Sequence, residues 1–336
     1  MLMDIFWYAL VGLLLVGYLT LEGADFGVGM LIPFARDEAD RARMRRLVVP
    51  LFLANEVWLV AFVGLLFGAL PLLEGKLLAG LRIPVTLLLL AWFLRDAALW
   101  FRSAHPGAGW RRAWDAVLPV ASLVLAAGWG VVLSVLIRGL SIGGGGQPTA
   151  TLGDLLHPFT LGSAAVLVLA SLRQGIFFTA LSAGGDNPLG ERADRLAKQL
   201  TLALAGLILL TAVIGLVSCD AKVAVAINGL FPAIAVLGSG RDHANGKTVR
   251  ALARGAAPLI ALPVSVGIAN GTTALATRSG VGELSLGDAV AASSTLTLLA
   301  VTVLPALVAV AFAQAWFWRV FAPGRSAGRA PEPVAG

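Results

Sequence analysis

Few residues of this 336-residue chain could do chemistry in an apolar environment, and those that could are a few acids and an arginine within its apolar blocks. Glu22 and Asp25 are three apart, a spacing that puts both carboxylates on one face of a helix. Glu56 follows Asn55 in the second apolar block, and Arg95 precedes Asp96 in the third. Ionisable groups at membrane depth are costly and mark functional candidates. Neighbouring carboxylates raise one another's proton affinity, as a proton relay would require, and Arg95 is the candidate counter-ion. Plainer readings stay open: Glu22 and Asp25 could snorkel to headgroups, and Arg95 with Asp96 could anchor a helix end. Arg173, within Leu172-Arg173-Gln174-Gly175, requires a partner or a lipid phosphate.

A haem needs axial His, Met, Cys or Tyr at membrane depth. His105, His157 and His243 all fall between apolar blocks, and the one methionine left within a block, Met30, is near the inner end of the first. The chain is therefore expected to bind no haem and no His-based metal centre itself. The single cysteine, Cys219, excludes an intramolecular disulfide, a CxxC pair and a Cys-ligated iron–sulfur cluster.

The elements that must hold these residues are membrane helices. Hydrophobic residues make up 58% of the chain, charged residues 13%, and mean hydropathy is +0.87. Apolar blocks recur near the ~20 residues that cross a bilayer, and strand-like alternation is absent. Nine blocks can span: residues 4–34, 48–73, 83–101, 115–137, 159–181, 199–218, 221–238, 251–277 and 289–318. The seventh is the weakest, being short and carrying Lys222 and Pro232.

With the N-terminus outside and the C-terminus inside, inner segments carry seventeen of the 25 basic residues and outer segments five. The net charge of +6 is thus read as a topology signal, with no nucleic-acid partner. The first block lacks a basic flank and a cleavage site, so it is expected to be retained as a span. Residues 1–321 are expected to form one polytopic membrane domain. The Gly-rich 139–158 stretch is expected to be a plain connector, and the 322–336 tail a disordered cytoplasmic segment. No short internal repeat is apparent. Gly23 and Gly27, with Gly29, suggest close helix packing. Most of the nine tryptophans, Trp110 and Trp114 among them, sit where interfacial belts form.

Several segments have a familiar pattern. Thr20-Leu21-Glu22-Gly23-Ala24-Asp25-Phe26-Gly27-Val28-Gly29-Met30 resembles the end of the first helix in subunit II of cytochrome bd-type quinol oxidases. Asn55-Glu56-Val57-Trp58-Leu59 is similar to a second motif of that family, and Phe101-Arg102 with Trp110-Arg111 and Trp114-Asp115 to a loop motif. Residues 292–298 resemble a late Ser-Ser motif. The resemblance runs from the first helix to the last.

It implies a nine-helix bundle like that of the haem-bearing subunit I, packed against that subunit as a pseudosymmetric heterodimer in a bacterial plasma membrane. Haems would sit in the partner, quinol would be the complex's substrate, and lipid or a small accessory membrane subunit could also contact the chain. Trp58 would lie by an oxygen route to the partner's haem, with simple packing as the competing reading.

Two family acids are missing. Leu53 and Trp100 stand where the pattern has carboxylates, and the Lys-Thr pair after the fifth helix is also absent. The polar cluster is therefore expected to stabilise the bundle more than it conducts protons. A proton-coupled secondary transporter using Glu22, Asp25, Glu56 and Arg95 is the alternative function.

Overall fold

The computed structural model describes residues 2–183 and 188–321. Among them, nine helical segments are long and apolar enough to cross a membrane: Leu2–Phe34, Phe52–Ala69, Arg82–Phe101, Ala108–Arg138, Pro158–Leu181, Arg195–Ser218, Lys222–Ala244, Thr248–Asn270 and Ser293–Arg319. The chain is a multi-pass, all-α membrane protein. The 322–336 tail lies outside the described residues.

The first span, helix α1 (Leu2–Leu31), is the axis of the bundle. From Glu22 to Met30 every residue is buried, so its C-terminal part is wrapped on all sides. It packs against α3 (Phe52–Ala69), α6 (Ala108–Arg138), α8 (Pro158–Ala183) and α12 (Ala257–Asn270). Small residues allow this: a Cβ on Gly29 would press on Ser122, and one on Gly23 on Leu259. Helix α5 (Arg82–Phe101) packs along α6, and α14 (Ser293–Phe321) lies on α3 with most of its surface exposed. Between α1 and α3 runs the surface helix α2 (Glu38–Val48), capped by Asp37, whose side chain accepts from the Asp40 N–H at 2.8 Å.

Several boundaries differ from those read in the sequence. The 48–73 block breaks at Leu70, where Pro71 starts a separate helix α4 (Pro71–Gly80), because proline cannot donate into the preceding helix. Trp110, Trp114 and Asp115 sit on the first turns of α6 rather than in a loop. The 251–277 block is helical only to Asn270, preceded by α11 (Thr248–Gly255). His243, expected between spans, belongs to the last turn of α10 (Lys222–Ala244).

The 139–158 stretch is structured, not a plain connector. It forms a hairpin, β1 (Ser141–Ile142) with β2 (Pro148–Thr149), then the short helix α7 (Leu152–Leu155). The same device recurs before the last span, where β3 (Thr273–Leu275) pairs with β4 (Leu284–Ser285) and α13 (Leu286–Ala289) follows.

A short repeat does therefore exist. Both preceding helices end at a positive-φ glycine, Gly139 (77°) and Gly271 (60°). Both short helices are Leu-Gly-Asp turns capped by a hydroxyl, Thr151 accepting from Asp154 N–H and Ser285 from Asp288 N–H. The two hairpins touch through Leu140, whose N–H donates to Ala276 O and whose carbonyl accepts from Arg278 N–H. Arg278 also binds Asp154, and Lys76 donates to Gly282 O at 2.9 Å.

Candidate functional site: a buried carboxylate and arginine cluster

Three spans bring the acids together. Arg95 on α5 is 1% exposed; its Nη1 donates to Glu22 Oε2 on α1 and its Nη2 to Glu56 Oε1 on α3. Asp96 Oδ1 accepts from Arg95 Nε at 3.2 Å. Trp92, three residues before Arg95 and hence on the same helix face, donates its indole N–H to Glu56 Oε1 at 2.7 Å. The Phe26 ring lies 5.6 Å from the Arg95 guanidinium carbon.

Asp25 is not held by Arg95. Its Oδ2 accepts from Asn55 Nδ2 at 2.8 Å, and the Gln314 amide of α14 lies 2.9 Å from Asn55 Oδ1. The shared face of α1 thus serves two partners: Glu22 turns to the guanidinium and Asp25 to an amide. Glu22, Asp25, Asn55, Glu56 and Arg95 are all buried.

The sequence reading missed Trp92 and Gln314. Trp92 was signalled by its i−3 spacing from Arg95, and Gln314 is the one amide inside the last apolar block. Leu53 and Trp100, where the missing acids would stand, are 52% and 57% exposed and face outward.

The loop motif builds a second, structural site at the end of α5. Arg102 grips Asp115 through Nε (2.6 Å to Oδ1) and Nη2 (3.0 Å to Oδ2), and reaches Glu38 Oε1 at 2.6 Å. Arg45 bonds the same two acids at 3.0 and 2.9 Å, tying α2 to α5 and α6. Desolvation works against the charge on Glu38, yet hydrogen bonds and charge from Arg102, with Arg45 adding to both, hold its carboxyl below the usual range. Trp110 donates to Phe101 O at 2.6 Å, and Trp114 packs against Trp110 and Phe101.

Trp58 lies across Gly17, where an added Cβ would collide with the indole. Two large apolar cavities, about 590 and 560 Å³, adjoin the N-terminal part of α1. Trp58 lines neither of them, and neither do Glu22, Asp25, Glu56 and Arg95.

Arg173 is buried in a neutral cradle. It donates to Thr201 Oγ1 and Ser239 Oγ at 3.1 Å each and to Val236 O at 3.3 Å, and stacks 4.4 Å from the Phe177 centroid.

The imidazoles stand at helix ends. His105 Nδ1 accepts from Gly107 N–H, His157 Nδ1 accepts from Phe159 N–H, and the His243 ring packs on Phe177. This donor set does not fit a haem seated within the bundle. Among the described residues, no three His, Cys, Asp or Glu side chains are grouped to hold a metal ion.

Residues 3–321 match the family described as cytochrome bd terminal oxidase subunit II. The chain belongs to that family. It is 33% identical over 195 residues to the cytochrome bd ubiquinol oxidase subunit 2 of Bacillus subtilis (strain 168), an alignment covering 58% of this chain and 57% of that protein. With the cytochrome bd-I ubiquinol oxidase subunit 2 of Escherichia coli (strain K12) it shares 32% identity over 209 residues, 60% of this chain and 55% of the relative. The aligned regions thus span just over half the length of these relatives. The fold matches a chain of the bd oxidase from Geobacillus thermodenitrificans, with a TM-score of 0.78 at 18% identity, over 96% of this chain and 99% of that one. The nine-span bundle is therefore a bd-oxidase subunit fold.

Proposed function

We propose that the chain is the haem-free subunit II of a cytochrome bd-type quinol:oxygen oxidoreductase in a bacterial plasma membrane, oriented N-out and C-in. The single observation that carries this reading is the match of nearly the whole chain to the subunit II family. Haems and oxygen chemistry belong to a subunit I partner, and this chain alone is inactive. The absence of any imidazole from the middle of a described span supports that division of labour.

Within this reading, the Arg95 cluster ties α1, α3 and α5 into one unit. Four carboxylates with one guanidinium carry more negative charge than burial tolerates, so the cluster holds protons as well as ion pairs. With Leu53 and Trp100 in place of acids, its main contribution is to stability rather than to turnover. For the alternative, a transporter, the large cavities supply no charged site: their lining is mainly apolar, and Glu22, Asp25, Glu56 and Arg95 are not part of it.

The test is purification of the chain from its native membranes through a tag. Co-purification of a haem-bearing partner and quinol-dependent oxygen consumption support the reading. A chain that purifies without such a partner contradicts it.

A further inference from the structure

The cluster has one member at the protein surface. The side chains of Glu22, Arg95 and Glu56 are 0%, 2% and 8% exposed, whereas that of Asp96 is 23% exposed while still 3.2 Å from Arg95. Asp96 and Glu56 lie on the same Arg95 nitrogen, Nη2, which brings their carboxyl groups side by side. Asp96 stands one helical turn before Trp100 on α5, and Glu56 one turn after Leu53 on α3.

An arginine whose two Nη atoms already bind carboxylates gains little from a further acid, and partial burial of that acid has a cost. A role beyond ion pairing fits its position better. Asp96 lies six residues, ~9 Å of helix, from Arg102 at the end of α5, and its side chain is open to the outside of the chain. The charged groups facing it are Arg95 on its own helix and Glu56 on α3; the adjoining α6 presents no charged partner to it among the described residues.

We propose that Asp96 is the surface port through which the buried carboxylates exchange protons with the outside of the chain. This rests on the reading of the cluster as a site that holds protons. A hydronium ion at the surface gives a proton to the Asp96 carboxylate and leaves as water; the resulting acid passes that proton to the Glu56 carboxylate and returns to its charged form. The reverse sequence discharges the cluster.

The test is infrared spectroscopy of the full complex in lipid films on transfer from water to deuterium oxide, following the carboxylic C=O band that Glu22→Gln or Glu56→Gln removes. In the native complex the band shifts quickly. With Asp96→Asn its exchange slows about a hundredfold, the scale of losing a positioned acid–base group. Asp96→Glu restores it, and melting temperatures show that both variants are folded.

An unchanged exchange rate in Asp96→Asn overturns the proposal. So does the lack of any carboxylic band that Glu22→Gln or Glu56→Gln removes, because the cluster would then hold no proton to exchange. Haem content and quinol-dependent oxygen uptake of the same samples test the oxidase assignment separately, since proton exchange does not depend on turnover.

Discussion

Gly27 and Gly175 meet where α1 crosses α8, so closely that a Cβ on Gly27 would lie 2.6 Å from the Gly175 nitrogen. No side-chain adjustment relieves backbone against backbone, so Gly27→Val forces the two helices apart. The expected loss is about 3 kcal/mol or more, at the upper end for overpacked interiors. Gly64→Ala, at a site with nothing within 4 Å, is the control and should be neutral. Melting temperatures of the purified complex check both; equal stability of the two variants would show that α1 and α8 do not pack this way.

The Arg95 cluster should respond unequally to removal of its parts. Arg95→Leu leaves Glu22 and Glu56 without their cation and is expected to cost about 3–5 kcal/mol, enough to prevent assembly in most preparations. Glu22→Gln keeps a hydrogen-bonding group against Nη1 and should cost about 1–3 kcal/mol, with turnover per haem little changed. The double variant should fall short of the sum, because the two changes remove one interaction. A well-assembled Glu22→Gln complex whose turnover collapses would restore a proton relay as the cluster's main task.

Acid should loosen the clamp formed by Glu38, Arg102, Asp115 and Arg45. Glu38 is held below its ordinary value in the folded protein, so its contribution is present above the ordinary carboxylate range. That contribution is lost as pH falls through the depressed folded value. Stability of the native complex measured from neutral pH downward should fall more steeply than that of Glu38→Gln, and parallel curves would exclude Glu38 as a contributor.

Trp58→Ala separates packing from oxygen access. The indole fills the space over Gly17 and lines neither large cavity. Its removal is expected to cost about 3 kcal/mol of packing. Apparent oxygen affinity in the assembled complex should stay unchanged; a clear shift with haem content intact would place Trp58 on a gas route.

Much of this architecture is legible in the sequence because long apolar blocks and the excess of Lys and Arg in alternate loops are strong signals, whereas a two-residue strand has none. Both hairpins were therefore missed, although Thr151-Leu-Gly-Asp154 and Ser285-Leu-Gly-Asp288 carry the capping pattern. The pairing of Arg95 with Glu22 could be anticipated from depth and the cost of burial. The separation of Asp25 from that arginine could not, since it depends on which face of α3 presents Asn55 and on Gln314 some 259 residues away. The early start of α6 was hidden by Arg111 and Arg112, which lowered the apolar signal while remaining good helix formers.

The most direct measurement of the central claim is a reduced-minus-oxidised absorption spectrum of the complex isolated through this chain, beside that of the chain separated from its partner. The account expects haem bands and quinol-dependent oxygen reduction in the complex, and no Soret band from the separated chain. Stoichiometric haem on the separated chain, or a complex without haem, would contradict it.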